Sequence, residues 1–240
     1  MIYYTKDIKC PMCLTKFVGR EAGGFFIDGQ DSDLFVRVQK SPLHIIQVEI
    51  HSCPSCRFSG MFSDFNLKYA EVVRKEFMQK VHPQLKIINP RGRTAPIPHE
   101  AYEFAFRCAL FLKRHMAIQF MLALRAYWCM RLTPSVDLLS YNDLRAYEKT
   151  YLQCATLILD KRLKMKVAVI PKYRYLAGEL HRRLGNFESS QKYFKMLMDF
   201  TGNLLPDYLK KASKSLYEAA GRGDGRHHSM ESVLYGGIDA

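Results

Sequence analysis

The chain has 240 residues, 48% of them apolar and 25% charged, a composition suited to a globular fold of one or two domains. The most apolar stretch, 116–130, is interrupted by Arg125, and the first seven residues include Lys6 and Asp7. These features exclude a bilayer span of roughly 18 apolar residues and an apolar signal core. Seven cysteines, three of them (Cys108, Cys129, Cys154) inside helical patterns, fit a reducing cytoplasm better than a disulfide scaffold. The formal net charge of +13 raises the question of an acidic partner.

From 7 to 62 short β-branched and aromatic runs alternate with turn residues. Residues 34–39 and 44–50 read as strands joined through Lys40-Ser41-Pro42-Leu43. Ser63-Asp64 opens a helix expected to run to Val81, where His82-Pro83 ends it. Pro83, Pro90, Gly92, Pro96 and Pro98 mark 83–98 as a linker. Beyond it helices are expected over 99–112, 116–132, 141–166, 172–184, 187–200 and 207–220, antiparallel where their connections are short. The glycine-rich end from Gly221, with His227-His228, reads as a flexible, exposed tail. The expected organisation is therefore α+β, mostly α. A zinc-ribbon-like β subdomain covers 1–62, a helix and proline-rich linker 63–98, a tetratricopeptide-like helical domain 99–220 and the tail 221–240. The helical repeat rests on Ala177-Gly178, Gly185-Asn186-Phe187, Ser190 and Phe194, small and aromatic residues at helix-pair spacing.

Specific chemistry resides in two Cys-Pro-x-Cys knuckles, Cys10-Pro11-Met12-Cys13 and Cys53-Pro54-Ser55-Cys56. Each pair can hold one edge of a tetrahedral ion, so Cys10, Cys13, Cys53 and Cys56 are assigned to one structural zinc. The 39 residues between Cys13 and Cys53 exceed a usual ribbon spacing, and a hairpin inserted over 25–50 accounts for them. Leu14 and Arg57 stand where such turns favour glycine, at a backbone cost if φ is positive. The competing thiol-disulfide reading suffers because Cys10 lies too near the start for a preceding βαβ unit. His51 is a reserve ligand that four thiols make unnecessary. Asp28, Asp31 and Asp33 lack calcium-loop spacing and read as a turn. No phosphate loop, nucleophile elbow or His-Glu-x-x-His is present, and no catalysis is expected.

Several segments together resemble a bacterial family known as domain-of-unknown-function family 2225. They are the two knuckles with Phe17 and Phe58 behind them, Asp31-Ser32-Asp33, Ser63-Asp64-Phe65, and the run from Tyr175 to Asn186. The resemblance implies a zinc-ribbon-like part and a tetratricopeptide-like part, with no known activity. The chain departs from the family where glycine usually follows Cys13 and Cys56. The expected role is a cytoplasmic interaction module for a protein partner, without membrane insertion. The alternative is a zinc-ribbon nucleic-acid binder using Lys161, Arg162, Lys164, Lys166, Lys172, Arg174, Arg182 and Arg183. If Arg182, Arg183, Lys192 and Lys195 shared one concave face, an acidic ligand would gain weight.

Overall fold

The computed structural model describes residues 2–38, 44–87, 93–132, 141–164, 171–200 and 205–235. It is α+β and mostly α, with small antiparallel sheets in the first third followed by helices. The chain divides into two compact units, 1–26 with 40–151 and 27–39 with 152–240.

In the first unit β1 (Ile2–Lys9) and β2 (Lys16–Gly24) form an antiparallel ribbon whose last pair is Lys9↔Lys16. β5 (Ile50–Ser52) and β6 (Ser59–Met61) pair in the same way, ending at Ser52↔Ser59. Each cysteine knuckle is thus the turn of a hairpin. α1 (Phe62–Phe65) follows at once, started by Asp64 Oδ2 accepting from Met61 N at 2.9 Å. Ala70 is extended, and the chain restarts as α2 (Glu71–Lys80). α3 (Pro98–Phe111) begins with proline in its first turn, and Glu100 accepts from Ile97 N at 2.9 Å. α4 (Met116–Leu132) is apolar around most of its circumference and buries Phe120, Leu124, Tyr127 and Met130. The core gathers Phe58, Phe65, Phe77, Leu85, Phe104 and Cys108 around the thiols. Phe58 meets both Phe65 and Phe77 edge-on, at 5.3 and 5.7 Å between centroids.

The second unit holds the hairpin of β3 (Ile27–Gln30) and β4 (Val36–Val38). It also holds the later part of α5 (Tyr141–Lys164), then α6 (Pro171–Arg183), α7 (Phe187–Met198), α8 (Asp207–Gly221) and α9 (Met230–Tyr235). Gly185, at φ +79°, turns α6 into α7 while Asn186 N donates to His181 O at 2.9 Å. Gly178 lets the helices approach: a Cβ there would stand 2.8 Å from the Phe194 ring. Tyr175 packs edge-on against that ring at 5.9 Å.

Three expectations need correction. Residues 44–49 are no strand, and β5 starts only at Ile50: His44 Nδ1 accepts from Ile46 N and Gln47 Oε1 from His44 N, and these local bonds wind Ile45–Gln47 into a 3-10 turn. The helix expected over 63–81 is two, α1 and α2, parted at extended Ala70. A hairpin, β3 with β4, lies within the inserted stretch and groups with the second unit. Leu85 is buried in the first unit, Arg93 pairs with Glu100 at 3.0 Å, and the division falls within α5. The connection 40–43, apart from its neighbours, lies outside the described residues, as do 88–92 of the linker and 236–240 of the tail.

The described tail is also structured. Buried Arg182 donates to Asp224 O and Arg226 O at 2.6 and 2.7 Å, and Asp31 bridges Ser229 before α9. A buried guanidinium requires acceptors, and this glycine-rich segment supplies carbonyls to it.

Candidate metal centre

The two knuckles share one local plan. Cys10 N donates to Thr15 O and Leu14 N to Cys10 O, each at 2.9 Å; Cys53 N donates to Phe58 O and Arg57 N to Cys53 O, again at 2.9 Å. That closure puts the residue after each second cysteine in the left-handed region, Leu14 at φ 65° and Arg57 at φ 58°. The glycine-less turns are therefore strained as the sequence implied. The Arg57 guanidinium donates to the carbonyl of buried Leu85, fixing the second knuckle to the chain after α2.

The hairpin turns bring all four sulfurs within 4.8 Å of one another. Cys10 Sγ lies 3.5 Å from Cys56 Sγ, and Cys13 Sγ lies 3.4 Å from Cys53 Sγ. Four thiolates about 2.3 Å from a tetrahedral ion stand roughly 3.8 Å apart, so this set fits a metal. All are free thiols. Cys10, Cys53 and Cys56 are fully buried, and Cys13 is half-buried with its sulfur 3.2 Å from Thr15 Oγ1. Backbone amides converge on the sulfurs: Met12 and Cys13 on Cys10, Ser55 and Cys56 on Cys53, Phe58 on Cys56. Such amides stabilise thiolate charge.

Hydrogen bonds from Cys10 and Cys56 hold the Cys53 thiol well below its ordinary pKa. The reciprocal bond to Cys53 pushes Cys10 up, and bonds to Cys10 and Cys53 push Cys56 up, with burial adding to both. One thiolate is favoured at the expense of its neighbours' ionisation. A cation in the centre removes that competition.

The other cysteines are not part of the centre. Burial pushes the Cys108 thiol up to about 12 and raises Cys129 and Cys154 as well. His51 is buried, edge-on to Phe62 and Phe65, outside the sulfur cluster. Asp28 is exposed on β3, whereas Asp31 and Asp33 are buried in the turn before β4. Arg182 is fully buried and bonded twice to buried Glu179 at 2.7 Å, which removes it from any basic face. Arg162 stacks on Tyr173, 4.3 Å above the ring. Sequence reasoning missed the Ser32–Glu179–Arg182 chain, in which Ser32 Oγ donates to Glu179 Oε1 at 2.6 Å. Its one local signal is the three-residue spacing of Glu179 and Arg182 on a helix.

Among the described residues no helix is long and apolar enough to cross a membrane. The model of a family described as an uncharacterized protein conserved in bacteria, DUF2225, matches residues 3–220. No curated protein and no solved structure matches the chain.

Proposed function

The chain belongs to DUF2225, an uncharacterised family conserved in bacteria, and we propose that it is a non-enzymatic cytoplasmic interaction protein with one structural zinc on Cys10, Cys13, Cys53 and Cys56. The observation that carries the metal reading is the closed shell: four sulfurs from two hairpins, three of them fully buried. Soft thiolates at tetrahedral spacing favour zinc or iron over hard cations, and four protein ligands leave no position for substrate. Free thiols throughout suit a reducing compartment. The helical second unit supplies the partner surface in this reading, with exposed Leu157 and Met196 as apolar contacts.

Metal analysis of the purified chain tests the first part. One zinc per chain is expected, and Cys53→Ser should lose it. A purple-red iron–thiolate absorption would replace zinc with iron, and a metal-free folded chain would end the reading. For the second part, a protein captured by the wild type should be lost with Leu157→Lys/Met196→Lys while zinc content stays unchanged. The net charge of +13 favours nucleic acid as the second reading. Against it, Arg93, Arg114, Arg125 and Arg182 are engaged by Glu100, Asp64, Glu49 and Glu179. Salt-sensitive binding to single or double strands would favour that reading over the protein partner.

A further inference from the structure

The second unit carries its own set of ligand atoms. After β3 the chain turns tightly, with Leu34 N donating to Asp31 O and Asp31 N to Phe35 O. The turn buries the side chains of Asp31 and Asp33, 3% and 0% exposed. Ser32 N donates to His228 O at 3.0 Å, and the Asp31–Ser229 bridge holds the C-terminal segment beside the turn. His227 is delivered to the two aspartates by that pairing. One oxygen of each carboxylate and one ring nitrogen of His227 lie within 4.8 Å of one another. Ligands bound at about 2.1 Å to one ion stand roughly 3–4 Å apart.

Two further observations separate this cluster from a simple ion pair. His227 Nε2 is sealed from solvent and 3.2 Å from Asp31 Oδ2, yet it makes no hydrogen bond. That separation is one that two ligands of a shared ion would also show. Tyr175 is fully buried and its hydroxyl has no hydrogen-bond partner. Burial first, then the charges of Glu179 and Asp33, raise its pKa. Arg37 lies beside the cluster, its Nε 3.8 Å from Asp31 Oδ1 in an ion pair and its Nη2 donating to Glu231.

We propose that Asp31, Asp33 and His227 bind a divalent cation of the manganese, iron or zinc class, with water at the remaining positions. Two carboxylates and one imidazole, with no sulfur, select that class. Magnesium and calcium prefer all-oxygen shells. The Ser32–Glu179–Arg182 chain braces the ligand-bearing turn, and Arg182 also grips the segment leading to His227. The proposal uses none of the four thiols and is independent of the zinc reading.

The test uses the purified full chain, with whatever ion its thiolates retain, dialysed against Mn2+ alone. Thiolates compete poorly for Mn2+, so the second unit is read separately. One Mn2+ per chain is expected by electron paramagnetic resonance and metal analysis. Asp33→Asn and His227→Gln should each weaken binding by about tenfold or more, while Asp28→Asn, on exposed β3, leaves it unchanged. His227 is partly exposed, so its variant decides the matter if Asp33→Asn fails to fold. Absence of bound Mn2+ in the wild type, or equal binding by wild type and His227→Gln, overturns the proposal.

Discussion

Leu14 and Arg57 occupy equivalent left-handed positions, yet glycine should act in opposite senses at the two sites. Leu14 is 49% exposed, so Leu14→Gly relieves backbone strain and loses little packing. A gain of about 0.5–1 kcal/mol is expected after allowing for the looser unfolded chain. Arg57→Gly also removes the guanidinium bond to buried Leu85 O, worth about 1.5–3 kcal/mol. A net loss of about 1 kcal/mol is expected there, and urea midpoints of the two metal-loaded variants measure the contrast. His99 supplies a pH dependence. It is fully buried with both ring nitrogens unbonded, and burial, opposed by Glu103 and aided by Arg93, pulls its pKa down to about 4. Between pH 6.5 and 4 the unfolded chain takes up a proton that the folded chain refuses. The contribution is therefore fully present above pH 6.5 and falls by about 3 kcal/mol as pH drops to 4. His99→Phe should flatten that part of the stability curve, and a variant parallel to wild type over this range would contradict the assignment.

At the scale of elements, the α6–α7 pair is set by one missing Cβ. Gly178→Ala gains about 1 kcal/mol of helix propensity but puts a methyl 2.8 Å from a buried, rigid ring. A net loss of about 1 kcal/mol or more is expected, and thermal melts should show it partly rescued by Phe194→Leu. This contact was legible because small and aromatic residues recur at helical spacing within one short segment. The gathering of the four thiols was legible for a related reason: each pair is a local motif, and its spacing states its geometry. The strand expected over 44–50 failed over 44–49 because alternation alone does not register the caps at His44 and Gln47. The tail failed for a non-local reason. Arg182 lies some forty residues before the carbonyls it needs, and nothing in a glycine-rich composition announces that an upstream guanidinium is buried.

For the whole molecule, the division into two units separates the consequences of metal loss from those of breaking the buried ion pair. The four thiols and the aromatic cluster around them belong entirely to the first unit, while Ser32, Glu179, Arg182 and the segment from Asp224 to Tyr235 belong to the second. If the thiols hold the proposed ion, removing it leaves a buried knot of competing thiols, so amide exchange should quicken in β1, β2, β5, β6 and α2, with α6–α8 keeping their protection. Arg182→Met does the reverse. It strands the Glu179 carboxylate without its cation, at about 3–5 kcal/mol, and frees the carbonyls of Asp224 and Arg226. Exchange and limited proteolysis should then open the chain after Gly221, with metal content at the cysteines unchanged. Restoring charge balance with Arg182→Met/Glu179→Gln should recover part of the loss, since the stranded charge outweighs the missing attraction. If chelation and Arg182→Met instead produced the same exchange pattern, the two units would unfold as one cooperative body, and neither the thiol centre nor the ion pair would have a territory of its own.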